Sequence, residues 1–401
     1  MRMSHRSCWG SVAATWLLLS AAGVGCGASP DSSSKGTAVP GDVPAFDTPS
    51  EPPGSPDPGS VEETEPVSEP VEGTESVGEI PLQPVEPTAD PVMEQAPPME
   101  AAEPEVPVPT GPPPKFVGNI TTGNSVDTNG FVYSDHWNQL TPENAGKWGS
   151  VQRTVTSAPN YAALDALYDY TQRKGILFKE HTFVWGSQQP SGDITPADVQ
   201  SWMRGFCTRY PNTRLIDVVN EPPPHTEPSY ANAIGGGTNT NWQWIANAFI
   251  WAREACPNAT LILNDYNNVE IANQNQHFID IVKAIQALGA PIDAVGAQSH
   301  GLNGANSGRT MIQLLTKLHD DTGLPVYITE YDINQADDAT QLARFQEHFG
   351  FFLDTEWVRG VTVWGWILGR TWVQNSGLIR DGVPRPAMVW LMQQLDRPVP
   401  Q

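Results

Sequence analysis

Between Lys115 and Val399 short apolar runs alternate with stretches whose apolar residues recur every three to four positions. The runs predict strands around Phe116 to Gly118, Trp137 to Leu140, Ile176 to Trp185, Leu215 to Asn220, Thr260 to Asn264, Ala294 to Gln298, Val326 to Thr329 and Val361 to Trp366. The periodic stretches predict helices such as Tyr161 to Lys174, Trp242 to Ala255, Asn275 to Leu288, Met311 to Thr322 and Ala339 to Phe352. Strands alternating with helices point to a parallel α/β architecture, and about 285 residues is the size of one (β/α)8 TIM barrel. An open doubly wound sheet has a similar strand count, so the count alone does not separate the two.

The position of the unusual residues favours the barrel. Polar and aromatic side chains gather just after the apolar part of each run: Glu143, Asn144 and Lys147; His181 and Trp185; Asn220 and Glu221; Asp265 and Tyr266; Gln298 and His300; Glu330 and Asp332; Trp364. In a parallel barrel all those strand ends meet on one face, where active sites form. Two runs end directly in a carboxylate, Glu221 and Glu330. A pair of carboxylates held this way is the minimum equipment for acid/base and nucleophilic work on a glycosidic bond. The residues therefore predict hydrolysis of a sugar chain.

A pyranose has apolar C–H faces and a rim of hydroxyls, so it needs aromatic platforms and amide or charged partners. Trp185, Trp364, Trp372 and Tyr266 are candidate platforms, and Glu143, Asn144, Lys147, His181, Gln188 and Gln298 candidate hydroxyl partners. Singly, each has a plainer reading. Trp364 and Trp372 also suit the closing of a barrel core, and Glu143, Asn144 and Lys147 the capping of a helix after Pro142. Asp265 is expected as a supporting hydrogen-bond acceptor, and Glu180, Asp217 and Glu227 as ordinary polar residues.

The first quarter of the chain is different in kind. Arg2 and Arg6, the apolar stretch Val12 to Val24 and small residues up to Cys26 have the layout of a secretory signal spanning 1–26. Gly23-Val24-Gly25-Cys26 is similar to a bacterial lipoprotein cleavage box, with Gly23 in place of the usual leucine, so lipidation of Cys26 and a cell-surface or secreted location are expected. Residues 27–114 are rich in Pro, Glu, Ser and Thr with hardly an aromatic, a composition expected to stay disordered as a spacer. Roughly 18 acidic residues fall there, so most of the net charge of -23 belongs to the spacer. No basic stripe for nucleic acid remains, leaving 115–401 as the catalytic domain. Cys207 and Cys256 stand outside the leader; export permits a disulfide, and two isolated buried thiols are the alternative. Neither has ligand spacing for a metal.

Taken together the motifs carry a resemblance. Thr141-Pro-Glu-Asn-Ala-Gly-Lys-Trp148, His181-Thr-Phe-Val-Trp185, Asp217-Val-Val-Asn-Glu221, Asn264-Asp-Tyr-Asn267, Gln298-Ser-His300, Ile328-Thr-Glu-Tyr-Asp332 and Trp364-Gly365 resemble, in order, the motifs of glycoside hydrolase family 10. The resemblance covers Phe116 to about Leu395. It implies a retaining endo-β-1,4-xylanase on a (β/α)8 barrel, monomeric and without metal or organic cofactor, acting on xylan. Glu221 is then the acid/base and Glu330 the nucleophile, with a carboxyl separation of about 5 to 5.5 Å. His300 holds the nucleophile, Asp332 orients His300, and Asn220 bonds the sugar 2-hydroxyl. Trp185, Trp364 and Trp372 lie on the glycone side and Tyr266 toward the leaving group.

Three departures bear on the substrate. Gly186 stands where a second histidine is usual, and is expected to leave room beside the sugar at the reacting position. Tyr331 replaces a leucine, and Ile367-Leu-Gly-Arg-Thr371 replaces a more polar segment, bringing Arg370 to the cleft rim, where an acidic branch such as a glucuronosyl group would meet it. The competing readings are the same chemistry on a decorated or mixed-linkage glycan, for which Gly186 supplies space, and a surface module that grips polysaccharide without cleaving it.

Overall fold

Eight parallel strands close into a barrel in chain order: β1 (Phe116–Ile120), β2 (Gln139–Thr141), β3 (Leu177–Val184), β4 (Leu215–Asn220), β5 (Thr260–Asp265), β6 (Ala294–Ala297), β7 (Val326–Tyr331) and β8 (Val358–Val363). Closure is made by β1 against β8, with Val117 opposite Val361 and Asn119 opposite Val363. This computed structural model describes residues 111–121, 126–128 and 130–401. The expected leader with Cys26, and the spacer as far as residue 110, lie outside the described residues.

The main outer helices are α3 (Ala162–Lys174), α4 (Pro196–Arg209), α5 (Gln243–Ala255), α6 (Ala272–Ala287), α7 (Ser307–Thr322), α8 (Asp338–Asp354) and α9 (Pro386–Gln394), preceded by the single turns α1 (Tyr133–His136) and α2 (Trp148–Val151). A small hairpin, β9 (Ile379–Arg380) with β10 (Val383–Pro384), precedes α9. Apolar periodicity does not single out α4, although its start is written in Thr195-Pro-Ala-Asp198. The Thr195 hydroxyl accepts from the Asp198 N–H, the Asp198 carboxylate accepts from the Thr195 N–H, and Pro196 opens the first turn.

Two strand predictions shift. The eighth strand runs from Val358 to Val363 rather than from Val361 to Trp366, and the second starts at Gln139 rather than Trp137. In both cases a tryptophan was read as strand because it is apolar. Trp137 and Trp366 instead pack edge to face at 5.8 Å, and Tyr133 meets Trp366 at 6.2 Å. Each such ring buries roughly 200 Å², or about 5 kcal/mol of gross transfer free energy.

Inside the barrel, Phe116, Leu215, Ile262, Ala294 and Tyr327 form an apolar layer at the N-terminal ends of the strands. Moving up the strands, inward positions turn polar: Lys179 and Asp217 form a buried ion pair at 2.6 Å, and Asn264 and Thr329 follow. Cys207 of α4 and Cys256, the residue ending α5, are joined by a disulfide with a Cα separation of 5.6 Å. The open choice between bridge and free thiols is thereby decided for the bridge.

Candidate active site

The strand ends deliver the predicted residues to one face. Asn220 is the last residue of β4 and Glu221 follows it, with a positive φ of 50° that turns the chain off the sheet. Glu330 is the penultimate residue of β7, and Asp332 comes directly after the strand. His181 lies within β3, while Gln298 and His300 follow β6.

The nucleophile candidate is caged. Glu330 is 5% exposed, His300 Nε2 stands 3.2 Å from its Oε2, and Asn264 Nδ2 donates to its Oε1 at 2.8 Å. Asp332 Oδ2 accepts from His300 Nδ1 at 2.6 Å, which fixes the imidazole plane. Burial alone would raise the Glu330 pKa, but its interactions with His181, His300 and Lys179 outweigh this and bring the group down to about 2. Burial likewise opposes charge on His300, and Asp332 and Glu330 overcome it, lifting the ring to about 10. At neutral pH the site therefore holds a carboxylate against an imidazolium.

A chain of hydrogen bonds joins the two carboxylates. Asn264 Nδ2, which donates to Glu330, also donates to Asn220 Oδ1 at 2.8 Å; Gln298 Nε2 donates to Asn220 Oδ1 at 3.3 Å and to Glu221 Oε1 at 3.0 Å. The other Glu221 oxygen accepts from Trp185 Nε1 at 2.9 Å. With Asn220 Oδ1 occupied twice, its amide NH2 is left as the group to offer a ligand. Gly296 makes room for this bridge, since a Cβ there would lie 2.3 Å from Asn264 Oδ1.

The outer residues surround this core. His181 Nδ1 bonds Asp217 Oδ2 at 2.9 Å and stands 4.0 Å from Glu330 Oε1. Its ring meets the edge of Trp364, which is 5% exposed and thus doubles as barrel closure. Trp372 is 50% exposed and packs at 4.9 Å against His300, the placement a sugar platform needs. Lys147 bonds Asn144 at 3.0 Å and lies 4.7 Å over the Trp185 ring, so that indole face is covered. Burial raises the Glu143 pKa, Lys147 opposes this and the nearby Glu330 charge adds to it. Tyr266 lies against the other carboxylate: burial, Glu221 and Asp265 push its hydroxyl up to about 12. Gln188 is exposed, shares a small cleft with Lys147 and Trp185, and accepts from Gly149 N through its backbone oxygen at 2.8 Å. Arg370 is exposed and donates to Thr128 Oγ1 at 2.7 Å, with no hydrogen bond into the carboxylate network among the described residues.

Three residues differ from expectation. Asp217 is no ordinary polar residue: fully buried, it accepts from His181 and pairs with Lys179, two groups that act on Glu330. The missing side chain at Gly186 opens no space of its own. A Cβ there would meet Thr226 Cβ at 2.8 Å and the Glu227 backbone at 2.9 Å, so a returning loop fills the space the missing side chain vacates. Glu180 is also fully buried, and burial with the nearby Asp217 charge drives its pKa far up, so it is a neutral acid rather than a solvated one. Asn264 was part of a quoted motif, but no signal in it marked the residue as the bridge.

The profile of Glycosyl hydrolase family 10 matches residues 115–393. The chain belongs to glycosyl hydrolase family 10. It is 44% identical over 286 residues to "Endo-1,4-beta-xylanase B" of Cellvibrio japonicus (strain Ueda107), covering 69% of this chain and 45% of that protein. This family 10 chain thus spans less than half the length of that relative. It is 27% identical over 280 residues to "Endo-1,4-beta-xylanase C" of Phanerodontia chrysosporium, covering 65% and 69% of the two chains. Among solved structures it is similar to xylanase 10B from Thermotoga petrophila RKU-1 in complex with xylobiose, with a TM-score of 0.61, 22% identity, and 70% and 93% coverage. At that identity the likeness speaks for the barrel alone.

Proposed function

We propose that this family 10 chain is a retaining endo-β-1,4-xylanase that cleaves internal bonds of xylan through a covalent glycosyl-enzyme. The observation that carries the reading is the bridged pair of carboxylates, one of them held ionised between Asn264 and a positively charged His300. Glu330 attacks the anomeric carbon while Glu221 passes its proton to the departing oxygen. Esterification then removes the Glu330 charge, and Glu221 acts as base toward the incoming water. The Asn220 NH2 is placed to meet the sugar 2-hydroxyl, a contact that strengthens as charge develops on the ring. The mixed-linkage reading leaned on space at Gly186 and loses that support, whereas the decorated-chain reading keeps the exposed Arg370.

In the same proposal the enzyme acts as a monomer, exported and tethered at Cys26, with residues 27–114 as spacer; the leader layout and the acidic Pro-rich composition support this. Mass spectrometry of the mature N-terminus would read a lipidated Cys26, and a free terminus beyond it would remove the tether. The activity is tested by proton NMR of xylohexaose during hydrolysis. The β-anomer of the new reducing ends should accumulate first; initial α-anomer, or binding with no cleavage, would overturn the reading.

A further inference from the structure

His225 follows Glu221 in the turn Glu221-Pro-Pro-Pro-His225, and its ring lies flat on Tyr266, with centroids 3.7 Å apart and planes 15° from parallel. Nδ1 bonds Asp265 Oδ1 at 2.7 Å and Nε2 bonds Gln274 Oε1 at 2.9 Å. A carboxyl oxygen and an amide oxygen face the two ring nitrogens, so a protonated ring finds an acceptor at each. Burial opposes the charge, but Asp265 outweighs it and holds the His225 pKa above its ordinary value. Asp265 Oδ1 also accepts from the Tyr266 backbone N–H at 2.9 Å. One oxygen of Asp265 therefore fixes both the backbone of Tyr266 and the imidazole stacked on its ring. The neighbouring turn is pinned as well, since Pro223 O lies 3.0 Å from His277 Nε2. None of these bonds serves Glu330, Asn220 or His300.

We propose that His225 is a positioning residue for the leaving-group side: clamped by Asp265 and Gln274, its ring backs Tyr266 and fixes it as the platform for the xylosyl unit that departs from Glu221. This rests on the reading of Tyr266 as that platform. Such a platform lowers the barrier only for substrates with a sugar on the departing side, so a leaving group too small to reach it is served without it.

Initial rates on xylohexaose and on xylobiosyl fluoride test the assignment, with the full chain carrying His225→Ala, His225→Phe, Tyr266→Ala or the first and third together. His225→Ala should lose roughly five- to thirtyfold more kcat/KM on xylohexaose than on the fluoride. His225→Phe keeps the stacked face and should recover part of the loss. In the Tyr266→Ala background, removing His225 should add less than about twofold, because contacting residues couple. Equal losses of the His225 variants on both substrates, or losses that simply multiply in the double variant, would overturn the inference alone. If Tyr266→Ala itself shows no preference between the substrates, the platform reading falls and the inference with it.

Discussion

The side-chain nitrogen of Asn264 stands 2.8 Å from the Glu330 carboxylate and the same distance from the Asn220 side-chain oxygen, so one amide ties Glu330 to Asn220. Asn264 is fully buried, and Thr329 Oγ1 donates to its oxygen. The two groups cannot drift independently while that amide is present.

Replacing it should therefore cost catalysis more than binding. Asn264→Leu removes a hydrogen bond to a charged group, worth about 1.5–3 kcal/mol, and should lower kcat roughly 10- to 100-fold. Steady-state kinetics on xylohexaose would show the loss in kcat with KM little changed; a pure KM effect would speak against the bridge.

His300 helps to hold Glu330 ionised, together with His181 and Lys179. His300→Ala removes a positive partner, so the Glu330 pKa rises and the acid limb of the kcat/KM profile should move to higher pH. The stability effect has a definite window. The His300 pKa is raised from 6.5 to about 10, so its contribution is complete below 6.5 and lost as pH climbs through 10. The Glu330 pKa is lowered from 4.5 to about 2, so its contribution is complete above 4.5 and lost on acidification toward 2. The Tm gap between wild type and His300→Ala should be widest between pH 4.5 and 6.5 and narrow toward pH 10.

Gly186 is a packing glycine. Gly186→Ala places a methyl 2.9 Å from the Glu227 backbone, which must shift, at a cost of about 1–3 kcal/mol. Thermal unfolding should show the loss, whereas the ratio of xylan to mixed-linkage glucan cleavage should stay put. A variant as stable as wild type would mean that the loop yields freely.

The Cys207–Cys256 bridge closes a loop of 49 residues between two adjacent helices. In the chain-entropy account this restricts the unfolded state by up to about 4 kcal/mol. The double substitution to serine should lower the denaturation midpoint by a matching amount, with kcat on xylan unchanged in the folded protein.

How much of this was legible in the residues varies with where the cause lies. Glu221 and Glu330 stood out because a carboxylate ending an apolar run is visible locally, and the barrel follows from strands alternating with helices. The boundary of β8 was misplaced because Trp364 and Trp366 are apolar for reasons of packing, not pairing. Asp217 looked ordinary because its partners, Lys179 and His181, sit on another strand. The reason for Gly186 is the Thr226 side chain and the Glu227 backbone, some forty positions away, and nothing in its own neighbourhood announces that contact. Asn264 shares the difficulty, since its two acceptors lie on β4 and β7.

The division of labour between the carboxylates is tested most directly by trapping the intermediate with a 2-deoxy-2-fluoroxylobioside carrying an activated leaving group. The fluorine slows both steps, the leaving group restores the first, and the glycosyl-enzyme accumulates. Peptide mass spectrometry should then find one fluoroxylobiosyl group, carried on Glu330. Label on Glu221, or turnover with no labelled peptide, would contradict the account.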